Sequence, residues 1–245
     1  MFQRLLLSAA VATVALFGAM QGAEARMTVW DLKVGTKAED MPAWIEFRGY
    51  ACGSNGGPPL FQLKGWQDYA RCRPDQKGLH EVYFEYDDEE EYIARAMEDV
   101  RIGRVVGTAD NSYPLMLSAL FDDAGVLKAL RLITDPRQDF RADNFYATLK
   151  TRDQHHLYGP FLSARFNINL ANDCVKQPLG PGENPVGDTY TKLDCERTDA
   201  SRGVRYVLQT RYFRKPGQLD RDPITGNLTT GQYEAYTRAE IWQLE

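Results

Sequence analysis

Histidine is scarce in this chain, with three in 245 residues, and cysteine nearly so, with four. The histidines carry no catalytic signature. His155 and His156 are neighbours, and adjacent residues in regular structure point to different faces, so they do not chelate one ion together. There is no His-Glu-x-x-His and no Gly-x-Ser-x-Gly, the local signals of a zinc protease and of a hydrolase nucleophile elbow. There is no Gly-x4-Gly-Lys-Ser/Thr phosphate loop. The one comparable stretch, Gly53-Ser54-Asn55-Gly56-Gly57, runs into Pro58-Pro59 and not into a helix. No excess of base is present either: 29 Lys and Arg stand against 34 Asp and Glu, for a net charge of −5. The two signs are interleaved, which argues against nucleic acid, whose binding rests on clustered cations. Beyond the N-terminus no apolar run approaches membrane-spanning length, and the mean hydropathy of −0.47 with 26% charged residues fits a water-soluble chain.

What is present begins with MFQRLLLSAAVATVALFGAMQGAEA. One early cation, Arg4, precedes an apolar run from Leu5 to Met20 and the small-x-small triplet Ala23-Glu24-Ala25. That is the three-part pattern of a secretory signal peptide. The run of 16 residues falls short of the roughly 20 a spanning helix needs. The expectation is a signal peptide at 1–25, cleavage before Arg26, a periplasmic or secreted location, and no stable membrane insertion afterwards.

Export would take the four cysteines to an oxidising space. They fall into two local groups, Cys52 with Cys72 and Cys174 with Cys195. Zinc sites usually bring cysteines together at spacings of two to four residues, so the reading is two local disulfides and no thiol left for catalysis. Each closed loop of about 20 residues contributes about 3 kcal/mol by restricting the unfolded chain. Both loops are rich in Gly and Pro and both are followed by Gly and a strand, a faint echo of duplication. The division expected is 26–137, holding Cys52 and Cys72, and 138–245, holding Cys174 and Cys195, as two halves or one continuous domain.

The pattern along the chain is mostly of period two. TVWDLKV reads as a short strand, and Thr36 with Glu39 as a capping box opening a helix that Pro42 cuts short. In GLHEVYFEYDD, Val82, Phe84 and Tyr86 alternate with Glu81, Tyr83 and Glu85. YPLMLSALF and VLKALRLIT flank the turn Asp122-Asp123-Ala124-Gly125 as a β-hairpin. EEEYIARAMEDV and the stretch after Arg141 read as helices. FLSARFNINL, YTKLDCERT, GVRYVLQTRYFRK and YEAYTRAEIWQLE read as strands. The fold class expected is α+β, a mostly antiparallel sheet with two or three short helices, stabilised by the two disulfides.

Three kinds of candidate for chemistry are present: one loop, two acidic stretches and one strand face. The loop carrying Asn55, Gly56 and Gly57 can form a nest of backbone N–H groups for an anion, or serve only as a pinned surface loop. The acidic run that begins with Asp87 and Asp88 offers carboxylates to calcium or another hard cation. So does the turn with Asp220, Asp222 and Thr225, although both also read as a solvated strand end and a hairpin turn, and neither is an EF-hand. The third candidate is a polar, aromatic strand face: Arg205 and Arg211 with Gln209 on one strand, Tyr236, Arg238 and Trp242 with Glu240 on another. If those strands are adjacent, Arg–Glu cross-strand pairs account for the charges. The sharper reading is a surface for a protein or glycan partner, since aromatics and Arg anchor interfaces. The functional expectation is an exported, non-catalytic binding or accessory protein. The alternatives are a metal-binding protein using the acidic loops, and a hydrolase with a scattered carboxylate or histidine site.

Overall fold

The computed structural model describes residues 27–42, 47–53, 61–86, 108–110, 113–134, 155–216, 219–221, 228–230 and 233–244. Its strands are β1 (Phe47–Cys52), β2 (Phe61–Gln62), β3 (His80–Tyr86), β4 (Thr108–Asp110), β5 (Tyr113–Phe121), β6 (Leu127–Thr134), β7 (Cys174–Lys176), β8 (Thr191–Asp199), β9 (Val204–Arg214), β10 (Leu219–Arg221), β11 (Leu228–Thr230) and β12 (Tyr233–Gln243). Ten of them form one antiparallel sheet in the order β2-β1-β3-β5-β6-β12-β9-β8-β7, with β4 also on β5. β10 and β11 make a separate two-stranded pair. The sheet runs through both cysteine-bearing stretches, because β6 and β12 lie side by side, Arg131 facing Glu240 and Leu130 facing Ile241.

The β5–β6 hairpin forms as its sequence specifies. Asp122 Oδ1 accepts the N–H groups of Ala124 and Val126 (3.0 and 2.8 Å), and Gly125 takes the positive φ of 76° that closes the turn. β5 is apolar on both faces except at Ser118, because both of its faces are buried: Leu115 through Phe121 are all below a tenth exposed.

Helix is sparse among the described residues. It comprises one α-helix, α1 (Tyr158–Arg165), and four 310 turns at Val29–Asp31, Ala38–Asp40, Trp66–Arg71 and His155–Leu157. Two of the expected strands are not formed. TVWDLKV is not a strand: the carboxylate of Asp31 accepts both the N–H and the hydroxyl of Thr28 (2.7 and 2.9 Å), and this local ring closes a 310 turn. FLSARFNINL is not a strand either. Tyr158, Leu162 and Phe166 recur every four residues on the buried side, and that helical period, not the apparent alternation, governs the segment. The short helix expected after Thr36 is a single 310 turn, with Lys37 and not Thr36 at its N-cap position and no side-chain cap. The helices expected in EEEYIARAMEDV and after Arg141 lie outside the described residues.

The main core fills one face of the sheet. Val82, Phe84, Tyr86, Leu115, Leu117, Leu130, Leu132, Tyr206 and Leu208 meet the 310 turns and α1 through Val29, Ala38, Trp66, Tyr158, Leu162 and Phe166. Trp66 sits at its aromatic centre, edge-on to Tyr50 and Phe84 (centroids 4.6 and 4.8 Å), with its indole N–H donated to the Pro42 carbonyl (2.8 Å). The cysteines pair as expected. Cys52–Cys72 ties β1 to the end of the third 310 turn, inside this core. Cys174–Cys195 joins two residues directly opposite each other on β7 and β8.

Candidate binding face

The opposite face of the sheet is where polar chemistry gathers. Along it, Ala51, Tyr83, Ser118, Arg131, Glu240, Val207 and Glu196 stand in a row across seven strands, each in register with the next. The character of this face changes along the row. On β3, β5 and β6 it is buried. On β12, β9 and β8 it is only partly covered.

An ion cluster marks the transition. Arg131, 6% exposed, donates through Nε to Glu240 Oε1 (2.8 Å) and through Nη1 to Glu81 Oε1 (3.1 Å). The two carboxylate residues are 7% and 8% exposed. Glu240 also accepts from Arg238 (Nε 3.1 Å, Nη2 2.5 Å) and from the Trp242 indole N–H (2.8 Å). Burial alone would raise the Glu240 carboxyl, but the guanidinium of Arg238, and then that of Arg131, outweigh it and hold the group down at about 2. A buried charge is tolerable only when paired and fully hydrogen-bonded, and Glu240 meets that condition with donors from three side chains. Room for Glu81 comes from Gly53, whose hypothetical Cβ would lie 2.7 Å from Glu81 Cγ.

Farther along the face the charges are partnered by β8. Arg211 donates to Asp194 Oδ1 (2.5 Å) and to the Leu193 carbonyl (2.7 Å), and Gln209 donates to the same Asp194 oxygen (3.2 Å). Arg205 lies 3.5 Å from Glu196. Lys192 bonds Glu183 (2.7 Å), and this contact, with the Gly180 N–H, lowers the Glu183 carboxyl below its usual range. At the rim, Lys77 Nζ stands 4.6 Å from the centre of the Trp242 ring, and Arg205 is 5.9 Å from the same ring.

Arg205, Arg211, Tyr236, Arg238 and Trp242 thus share one face of neighbouring strands, with Trp242 opposite Arg205, Tyr236 opposite Arg211 and Arg238 opposite Gln209. The Arg–Glu pairing differs from the simple expectation. Glu240 is held by Arg131 and Arg238, while Arg205 and Arg211 take their acids from β8. The structure adds Arg131 and Glu81 to this face. Their signal in the sequence is an arginine inside the apolar run LKALRLIT, a charge that only a buried acid can compensate.

The remaining candidates separate. Asp220 is in β10, opposite Thr229. Asp222, Thr225, Asp87, Asp88, Asn55, Gly56 and Gly57 lie outside the described residues. Among the described residues no three His, Cys, Asp or Glu side chains converge on a common metal position, and no helix is long and apolar enough to cross a membrane. His80 is buried at the start of β3, its Nδ1 2.6 Å from the Cys72 carbonyl and its Nε2 3.0 Å from Asp123 Oδ1. It ties the first disulfide to the β5–β6 turn. His155 is buried, with its carbonyl accepting from Thr237 Oγ1 (2.9 Å), and His156 stacks on Tyr212 (4.0 Å). His80 therefore sits apart from the adjacent pair His155 and His156, which share one 310 turn. No family model, curated protein or solved structure matches this chain.

Proposed function

We propose that the chain is an exported α+β protein of a periplasmic or extracellular space. It acts as a non-catalytic binding or accessory module through the partly covered part of its polar sheet face. One observation carries this reading: Trp242, Tyr236, Arg205, Arg211 and Arg238 stand together on β9 and β12, partly exposed, while the same face two strands away is buried. The disulfides support the export half, since such bonds persist in oxidising compartments. Aromatic rings ringed by paired charges suit a partner with both apolar and hydrogen-bonding surface, a folded protein or a glycan. Large rigid side chains bury area there at little entropic cost.

The test is titration of exported protein and polysaccharide fractions into the mature protein, followed by tryptophan fluorescence. A Trp242→Phe variant identifies the reporting ring. Binding that is lost in Trp242→Ala and in Arg205→Ala, with unfolding midpoints unchanged, is the expected result. Binding indifferent to both substitutions, or no binding at all, refutes the assignment.

A further inference from the structure

The two disulfides enclose loops of nearly equal length, with sequence separations of 20 and 21, and Cys195 is buried in the same core as Cys52 and Cys72, but its partner Cys174 is only partly covered. Cys52 and Cys72 are both buried in the main core, packed with Trp66 and Phe47. The carbonyl of Cys72 is further held by His80. Cys174 is partly exposed and belongs to β7, the outermost strand of the sheet and only three residues long. The next residue on that strand, Val175, is 62% exposed.

The register explains what this bond does. Glu196 N–H donates to the Asp173 carbonyl (2.9 Å) and Gln177 N–H to the Lys192 carbonyl (2.7 Å). Those flanking pairs place Cys174 and Cys195 at a non-hydrogen-bonded position, where facing side chains come closest. The disulfide therefore pins the first residue of a very short strand, at a position without backbone bonds. Short strands are a common way of blunting a sheet edge, and β7 covers the outer edge of the nine-residue β8.

We infer that Cys174–Cys195 is a reducible latch on the sheet edge, opened by an external dithiol, while Cys52–Cys72 is a permanent staple. The thiolate of the dithiol attacks Cys174 Sγ, on the partly exposed cysteine of the pair, and the Sγ–Sγ bond breaks with the buried Cys195 leaving as the thiolate. The second thiol of the reagent then attacks the mixed disulfide and releases Cys174. Two electrons and two protons pass from the dithiol, which ends as its own disulfide, to the two cysteines, which end as thiols. Once opened, β7 is held by its few backbone bonds, the Asp173 carboxylate near Arg197 and the contact of Lys176 Nζ with the Tyr190 ring. Its departure frees the Lys192 carbonyl and the Glu196 N–H for another strand.

The oxidised full-length mature protein is incubated in graded dithiothreitol without denaturant, quenched, alkylated and mapped by peptide mass spectrometry. The expected result is labelling of Cys174 and Cys195 at least tenfold faster than of Cys52 and Cys72. Faster amide exchange should accompany it, confined to residues 173–177 and 192–196. Simultaneous labelling of all four, or labelling of Cys52 and Cys72 first, overturns the assignment. A Cys174→Ala/Cys195→Ala variant provides the second arm. It is expected to keep the rest of the sheet and to reproduce the exchange pattern of the reduced protein, and global unfolding of that variant overturns the latch.

Discussion

Replacing Arg131 by Met is the sharpest test of how this sheet is held together. The substitution keeps most of the side-chain volume and removes one buried cation that donates to two buried carboxylates, Glu240 at 2.8 Å and Glu81 at 3.1 Å. Taking away one partner of a buried pair costs about 3–5 kcal/mol, because the charge left behind is no longer compensated. Glu240 keeps Arg238 and Trp242 as donors, which places the loss nearer the lower end of that range. For a domain of this size about 3 kcal/mol corresponds to a fall in Tm of about 6–12 °C. Urea unfolding at pH 7, read by circular dichroism, measures the loss directly as a shift in midpoint at constant slope. The loss should shrink as pH is lowered, since protonating a carboxylate removes the uncompensated charge. A second variant separates charge from packing. With Glu81→Gln and Glu240→Gln added to Arg131→Met, the buried charges go together and at least half of the lost stability should return. A single-variant loss below about 1 kcal/mol, or a triple variant no more stable than the single, would refute the claim that Arg131 is the compensating charge.

Other expectations follow from the same geometry. The Glu240 carboxyl has a folded-state value of about 2 against an ordinary 4.5, so its contribution is present above pH 4.5 and is lost as pH falls towards 2. Acid unfolding should therefore steepen across that window, by about 3 kcal/mol in total from this group, and Glu240→Gln should flatten the profile there. Gly53→Ala would drive a methyl group to within 2.7 Å of Glu81 Cγ and should cost about 1–3 kcal/mol by displacing that side chain. The check is whether Glu81→Ala, which removes the obstacle, makes the Gly53 substitution nearly silent in a double-mutant cycle. Trp66→Ala empties the aromatic centre of the main core and should cost about 3–5 kcal/mol. A midpoint shift below 1 kcal/mol would mean the site collapses around the void.

Much of the sheet was legible because its strands obey period two and its turns carry their own chemistry. β3, β5, β6, β8, β9 and β12 stand where alternation placed them, and the Asp122–Gly125 turn where Asp and Gly placed it. The face shared by Arg205, Arg211, Tyr236, Arg238 and Trp242 was legible for the same reason, since a strand's parity assigns each side chain to one side. The strand order was not. β6 pairs with β12 across about a hundred residues of chain, and no local pattern says which strand will lie beside Arg131. Hence Glu240 could be matched to an arginine in general and not to Arg131 in particular. The α1 segment misled because FLSARFNINL satisfies both periods over ten residues. What decides it is burial of Tyr158, upstream of the alternating stretch, together with Leu162 and Phe166.

The position of β12 has a consequence for how the chain acquires its structure. It is the latest strand of the main sheet in chain order, yet it lies near the sheet's middle, between β6 and β9. Until residues 233–243 have been made and delivered, β6 presents an open apolar edge, and Arg131 waits for a glutamate 109 residues away. Contacts of such long range slow folding and prolong exposure of sticky intermediates. A chain threaded through a membrane from its N-terminus would therefore hold its earlier strands incomplete on the far side, exposed to any chaperone or protease there, until the last hairpin arm arrives and closes the sheet in one step.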